Sequence, residues 1–150
     1  MAGVAVRESL TFSGRADQVR EARAFVARVL GPAHPCLDVA ILLASEVTAD
    51  SVRHSRTAAL GEAITVTVAL EASRVRVVVT DRAVDGVPVL RPAGEEAEGS
   101  RGLRLVDDLA VRWGYERSGG RATTWFELER GWPPPAYGAG GNFQAERSTD

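Results

Sequence analysis

The chain has no lysine, so the 18 residues counted as lysine or arginine are all arginines. It has only one cysteine, Cys36. A single cysteine excludes an internal disulfide and a metal site built from cysteines, and we interpret Cys36 as a small residue at the start of a helix. Contacts with phosphate or an acidic partner must use arginine side chains, backbone N–H groups or a helix N-terminus. The one asparagine, Asn142, lies near the end of the chain, so we expect no asparagine ligand inside the folded domain.

Long apolar runs and a large net charge are also missing. The longest runs, near residues 40–44 and 75–79, are far too short to span a bilayer. The N-terminus lacks the basic segment and following apolar stretch of a secretion signal, so we predict no secretion. The net charge of −2 creates no long-range field toward nucleic acid or membranes. We therefore expect a cytoplasmic protein with no direct nucleic-acid contact and no membrane contact.

Hydrophobic periodicity predicts a single α+β domain over residues 1–130. The predicted elements are strand 4–12, helices 16–30 and 35–55, strands 63–70 and 74–80, helix 102–109, and strands 111–116 and 122–128. A mostly antiparallel sheet with all helices on one face forms a two-layer α/β sandwich, whose outer face is partly solvated. Residues 81–100 are predicted to form a long loop, and the Pro/Gly-rich residues 131–150 a disordered tail.

The predicted helix 35–55 carries Glu46, Asp50 and His54 at intervals of four residues. Side chains at this spacing lie one above another on a single face. Together they supply an acid/base group and an oxygen ligand for a hard cation such as Mg²⁺. The polar side of any surface helix has a similar pattern, so the spacing alone leaves both interpretations open.

Two further segments have features of a nucleotide site. Strand 74–80 runs directly into Asp81, and the segment from Gly99 to Gly102 leads into the helix at residues 102–109. Glycines allow a ligand to approach the backbone closely, and free N–H groups at a helix N-terminus attract phosphate. A strand cap and a simple turn explain each segment equally well by itself, but their order along the chain favours one common site.

In combination, these segments resemble the ATP-binding domain of the GHKL superfamily (the Bergerat fold). They resemble more closely the small anti-sigma-factor serine/threonine kinases that are abundant in actinobacteria. The family box Leu-Leu-x-Ser-Glu-x-x-x-Asn-x-x-x-His corresponds to residues 42–54, the strand ending in Asp to 77–81, and Gly-x-x-Gly-Leu-x-Leu-Val to 99–106. The closing strand 123–128 completes a resemblance that covers about residues 4–129.

The resemblance implies ATP and Mg²⁺ as cofactors and suggests roles for matching residues. It implies that Glu46 is the general base, that position 50 holds Mg²⁺, and that Asp81 accepts the adenine amino group. The other implied nucleotide-binding residues are Arg53, His54, Gly86, Gly99, Arg101, Gly102, Leu103 and Thr124. For His54, packing beneath the site is an equally open interpretation. Implied partners are a sigma factor, an anti-anti-sigma factor protein and a second copy of the chain, paired near the N-terminal strand.

The chain departs from the family pattern at two points. The asparagine of the family is Asp50 here, which adds a negative charge beside the phosphates and cannot donate as an amide can. At ~4 Å and an effective dielectric constant near 20, one like-charge pair costs about 4 kcal/mol before a metal compensates it. The glycines usually found after Asp81 are replaced by Arg82 and Ala83.

Three functional hypotheses follow from this pattern. The favoured one is an anti-sigma factor that binds ATP and phosphorylates a hydroxyl of its antagonist protein. The alternative is a catalytically impaired module of the same fold that acts by sequestering its partner, because Asp50 replaces the metal-holding asparagine. An ATP-hydrolysing or histidine-kinase-type fragment is the least favoured, since we find no helical dimerisation segment with a phospho-acceptor histidine. The only histidines are His34, between two prolines, and His54.

Overall fold

The computed structural model describes residues 6–54, 63–82 and 101–131 and confirms the predicted α+β two-layer sandwich. In chain order its elements are β1 (Val6–Ser13), α1 (Val19–Leu30), α2 (Leu37–His54), β2 (Ala63–Leu70), β3 (Arg74–Arg82), α3 (Arg101–Leu109), β4 (Arg112–Ser118) and β5 (Arg121–Glu129). The predicted elements are all present, with ends shifted by a few residues: a 3-10 turn, Ala16–Gln18, precedes α1, and β3 continues through Asp81 to Arg82. The rest of the predicted loop and of the predicted tail lies outside the described residues.

The five strands form one antiparallel sheet in the order β1-β2-β3-β5-β4. From β3 the chain passes through α3 to β4 at the far edge, and β5 then returns between them. The β4–β5 turn consists of Gly119 and Gly120, whose φ angles of 61° and 77° are the positive values that a tight two-residue hairpin favours. This crossover places β5 beside β3, so the two strands that carry Asp81 and Thr124 are neighbours.

The hydrophobic core lies between the inner face of the sheet and the helices. Alternate residues of β2, β3 and β5 are buried, as a strand with one core-facing side requires. The largest fully buried side chains are Phe25, Phe126, Leu43, Ile64, Leu128, Val26, Val66, Val68, Val75, Val77, Val79 and Val106. On the opposite face Thr65, Thr67 and Val78 are only half-buried, which confirms the predicted partly solvated surface.

Helix α2 packs between α1 and α3 and also contacts β3, so its sides meet three different elements. At its start, Cys36 is buried, and its backbone N–H donates a 3.0 Å hydrogen bond to Nδ1 of His34. Burial raises the pKa of the Cys36 thiol and lowers the pKa of His34. Both shifts favour the neutral side chains, and the ring of His34 accepts a backbone N–H at the start of the helix.

No helix in the described part of the chain is long and apolar enough to cross a membrane.

Candidate functional site

Asp81 is a charged residue buried on the core side of the sheet. It lies one residue before the end of β3, opposite Ala122 of β5, and its relative exposure is only 5%. Its Oδ1 atom is buried and has no hydrogen-bond partner in the structure. An unsatisfied buried acceptor costs free energy, so a carboxylate retained in this position is a candidate for binding a ligand.

Helix α2 supplies two polar groups that act on Asp81. The hydroxyl of Ser51 donates a hydrogen bond to the Asp81 carboxylate, and the side chain of Asp50 lies near enough for its charge to act on it. Burial raises the pKa of Asp81 from 3.8 to about 6; the Ser51 hydrogen bond works against this shift, and the charge of Asp50 adds to it. The end of α2 and the end of β3 therefore form one polar cluster at the margin of the core.

Glu46 lies one helical turn before Asp50 on the same side of α2, as the four-residue spacing predicts. Both side chains are half-buried. Thr124 is buried on β5, where it pairs with Val79 and points to the same face of the sheet as Asp81. The structure thus brings Asp50 beside Asp81, places Glu46 on the adjoining turn, and places Thr124 on the neighbouring strand.

A family model for the histidine kinase-like ATPase domain matches residues 12–128. The chain belongs to this family. The match begins in β1, ends in β5 and includes Glu46, Asp50 and Asp81, so the polar cluster lies inside an ATP-binding domain of the GHKL type. A comparison with curated proteins gave no match.

The residues of this ATPase domain fit an adenine nucleotide. The adenine amino group is a hydrogen-bond donor, and Asp81 Oδ1 is a buried acceptor that has no partner among the described residues. Among the described residues, no group of three or more His, Cys, Asp or Glu side chains could hold a metal ion by itself. Mg²⁺ ordinarily takes only one or two carboxylates and completes its shell with phosphate oxygens and water, so Asp50 alone would suit a nucleotide-bound ion.

Several predicted nucleotide-binding residues cannot be compared with the structure. Gly86 and Gly99 lie outside the described residues. Four others stand in α2 and α3, but their side chains are not described: Arg53 and His54 in the last turn of α2, and Arg101 and Leu103 in the first turn of α3, beside Gly102. Because α3 packs against α2, these two helix ends belong to the same layer as the cluster. Their roles remain predictions.

Helix α3 is fixed to the sheet by a side-chain contact. Nε1 of Trp113 on β4 donates a 2.9 Å hydrogen bond to Oδ1 of Asp107 on α3. Val106 and Leu109 are buried beneath the same helix. The segment that begins with Arg101 is therefore anchored from its middle to its end, which sets where its first turn can lie.

Two hydroxyl residues of α2 were not predicted from the sequence. Ser51 bonds Asp81, and Thr48 is fully buried with an Oγ1 atom that has no hydrogen-bond partner in the structure. Their spacing is the one sequence feature that indicates such a role. Thr48 and Ser51 are three residues apart and border the apolar side of the helix, which includes Ala44 and Val47. Serine and threonine are common enough on helices that this spacing alone predicts no contact.

A second buried carboxylate, Glu127, was also not predicted. It lies on the outer face of the sheet, with relative exposure of 7%, and its oxygens are 3.0 Å from Arg112, 3.6 Å from Arg74 and 3.7 Å from Arg76. Arg76 also lies over the ring of Trp125, 4.2 Å from its centroid. These residues form a compact ionic and aromatic cluster on the side of the sheet away from the helices.

One cavity lined by described residues lies on the helical layer, and Asp81 is not among its lining residues. Its volume is about 500 Å³, and it is lined by Arg23, Asp38, Ile41, Leu42 and Ser45. None of these residues is a predicted site residue. Those on α2 are three or four residues apart and lie on one side of the helix, and Asp50 lies on another side. We therefore do not assign this cavity to the nucleotide.

Proposed function

We propose that this protein is an ATP-binding anti-sigma regulatory factor with serine/threonine-protein kinase activity toward an anti-anti-sigma protein. Membership of the histidine kinase-like ATPase family supports the ATP-binding part, and the resemblance of residues 42–54, 77–81 and 99–106 to the anti-sigma kinases supports the rest. The observation that carries the proposal is the buried Asp81 carboxylate. Its Oδ1 has no partner in the part of the chain that the structure describes, and it lies beside the acidic face of α2.

Each acidic residue has a separate task in this proposal. Asp81 accepts a hydrogen bond from the adenine amino group, and Asp50 contributes one ligand to Mg²⁺ beside the phosphates. Glu46 accepts the proton of the attacking serine or threonine hydroxyl; because it is only half-buried, a protein substrate can reach it. When bound, ATP supplies the phosphoryl group that this hydroxyl takes up.

The phosphates are held by groups other than lysine, since the chain has none. We assign this task to Arg101 and to the backbone around Gly99 and Gly102 at the start of α3, where free N–H groups and the helix dipole favour anions. The proposed remainder of the pocket consists of Arg53, His54, Gly86, Leu103 and Thr124. Guanidinium groups suit phosphate because they donate in pairs.

The proposed partners are a sigma factor, which the protein sequesters, and the antagonist protein that it phosphorylates. We also propose a homodimer formed along β1, which is an edge strand of the sheet. Val6 on this strand is 39% exposed, and an exposed edge presents unpaired backbone groups to another chain. These partners place the protein in the cytoplasm, without direct contact with nucleic acid or membranes.

A second candidate function is supported by the charge of Asp50. This carboxylate already raises the pKa of Asp81 in the protein alone, and a triphosphate would add more negative charge beside it. If the metal does not compensate, ATP binds weakly and the protein acts only by sequestering its partner. The variant Asp50→Asn separates the two functions, because it restores the uncharged amide of the family at the same position.

The test is a calorimetric titration of wild type, Asp50→Asn and Glu46→Gln with ATP and Mg²⁺, followed by transfer of labelled phosphate to the cognate antagonist. The kinase proposal expects micromolar ATP binding by wild type and Glu46→Gln, with phosphate transfer by wild type alone. Binding only by Asp50→Asn would support the sequestration module instead. Equal transfer by wild type and Glu46→Gln would remove Glu46 from the mechanism.

A further inference from the structure

We propose that Ser51 is the positioning residue for adenine recognition: its hydroxyl holds the Asp81 carboxylate so that Oδ1 stays available to the adenine amino group. This inference rests on the proposed binding of ATP. It concerns a residue that makes no assigned contact with the nucleotide and acts through Asp81.

The contact between Ser51 and Asp81 joins two elements that are distant in sequence. A serine within a helix ordinarily bonds a carbonyl of the preceding turn or points into solvent. Here it bonds a side chain of β3 instead. An ionised carboxylate only accepts hydrogen bonds, so the single hydroxyl proton of Ser51 must be the one donated.

This hydrogen bond restricts the orientation of the Asp81 carboxylate. The terminal torsion of an aspartate side chain is broad and only weakly restricted by its rotamer. Ser51 restricts it by engaging the carboxylate, while Oδ1 remains buried without a partner. An acceptor that is already oriented does not have to be ordered when the nucleotide binds, which improves affinity for a ligand that donates at that position.

Removal of the hydroxyl takes away the contact that orients the buried carboxylate. The Asp81 side chain can then rotate about its terminal torsion, and Oδ1 no longer lies in one fixed direction. Removal therefore weakens binding of a nucleotide with an amino group on its purine more than binding of one without it.

The experiment compares ATP with purine riboside triphosphate, which lacks the amino group, by calorimetry in Mg²⁺. We expect Ser51→Ala to weaken ATP binding about tenfold and to change binding of the analogue by less than about twofold. Ser51→Thr keeps the hydroxyl and restores ATP affinity. In an Asp81→Asn background, Ser51→Ala produces no further ATP-specific loss, because the group that Ser51 positions is gone.

Thr48→Val is the matched control, since it removes a buried hydroxyl from the same helix that has no hydrogen-bond partner in the structure. It should not discriminate between the two nucleotides. If Ser51→Ala does not fold, Ser51→Cys takes its place, because a thiol is a weak donor of nearly the same size.

Two failures are distinguishable in this design. Equal losses for ATP and the analogue in Ser51→Ala, with intact ATP binding by wild type, would overturn the role of Ser51 and leave the proposed function standing. A wild-type protein that binds neither nucleotide would overturn the proposed function and this inference with it.

Discussion

Asp81 and Glu127 are two carboxylates buried on opposite faces of the same sheet, with relative exposures of 5% and 7%. Glu127 lies within 4 Å of three arginines, Arg74, Arg76 and Arg112. Asp81 has Ser51 as a hydrogen-bond donor and a second carboxylate, Asp50, as a neighbour. Within the described residues, one buried charge is therefore compensated by arginines, and the other is not.

The difference separates a structural carboxylate from a candidate binding residue. Pairing with opposite charges offsets much of the desolvation cost of a buried charge, as it does for Glu127. Asp81 instead keeps a buried acceptor atom that no described residue partners, and a ligand that donates a hydrogen bond there would lower that cost. The comparison predicts that loss of the charge raises the free energy of unfolding at Asp81 and lowers it at Glu127.

The largest expected effect is on nucleotide affinity. Asp81→Asn should weaken ATP binding at least about 100-fold, or about 3 kcal/mol, because it removes a charged acceptor and leaves an amide that also donates toward the adenine amino group. Calorimetry in Mg²⁺ measures this directly. An affinity within about threefold of wild type would show that Asp81 does not contact the base.

The same variant should make the protein more stable at high pH. The pKa of Asp81 is raised from 3.8 to about 6 in the folded state, so its stabilising contribution is complete below pH 3.8 and is lost as the pH rises through 6. At pH 8 the ionised side chain costs roughly 2–3 kcal/mol that asparagine avoids. Urea unfolding should show Asp81→Asn to be more stable than wild type at pH 8, with the difference vanishing near pH 4. A less stable variant at pH 8 would contradict the assignment.

Glu127→Gln should give the reverse result. Loss of this charge leaves three arginines without their shared carboxylate and should lower the free energy of unfolding by about 2 kcal/mol, less than for a fully buried pair because the arginines are partly exposed. ATP affinity should stay within about twofold of wild type, since Glu127 lies on the other face of the sheet. A large loss of ATP binding in this variant would remove the distinction between the two carboxylates.

Much of this arrangement could be predicted from the sequence. Alternating and helical periodicities define the order of strands and helices, and the short strand that runs into Asp81 places that residue at the end of β3. The four-residue spacing of Glu46 and Asp50 fixes them on one side of α2 whatever the helix packs against. These features depend on local patterns.

The contacts that distinguish the two carboxylates depend on strand register and were not predictable. Glu127 meets Arg76 and Arg112 only because β5 lies between β3 and β4 in a particular register. Ser51 meets Asp81 only because α2 packs over β3. In the linear sequence, Glu127 is an ordinary polar residue of an alternating strand, and Ser51 an ordinary helix serine.

The smallest expected effect concerns the outer face of the sheet. A Cβ atom at Gly114 would lie 2.6 Å from Nε1 of Trp125, so Gly114→Ala forces the indole to move. Because Trp125 is only half-buried, it can shift outward, and we expect a loss of about 1 kcal/mol of stability. Thermal unfolding measures the loss; ATP affinity should not change. A change in nucleotide affinity would indicate that the two faces are coupled.

The most direct test of the central claim, that the buried Asp81 carboxylate selects adenine, is a titration of the wild-type protein with ATP and with GTP in Mg²⁺. Guanine presents a carbonyl oxygen where adenine has its amino group, so two acceptors would face each other at Asp81. We predict micromolar binding of ATP and binding of GTP weaker by about 100-fold or more. Equal affinities for the two nucleotides would contradict the account.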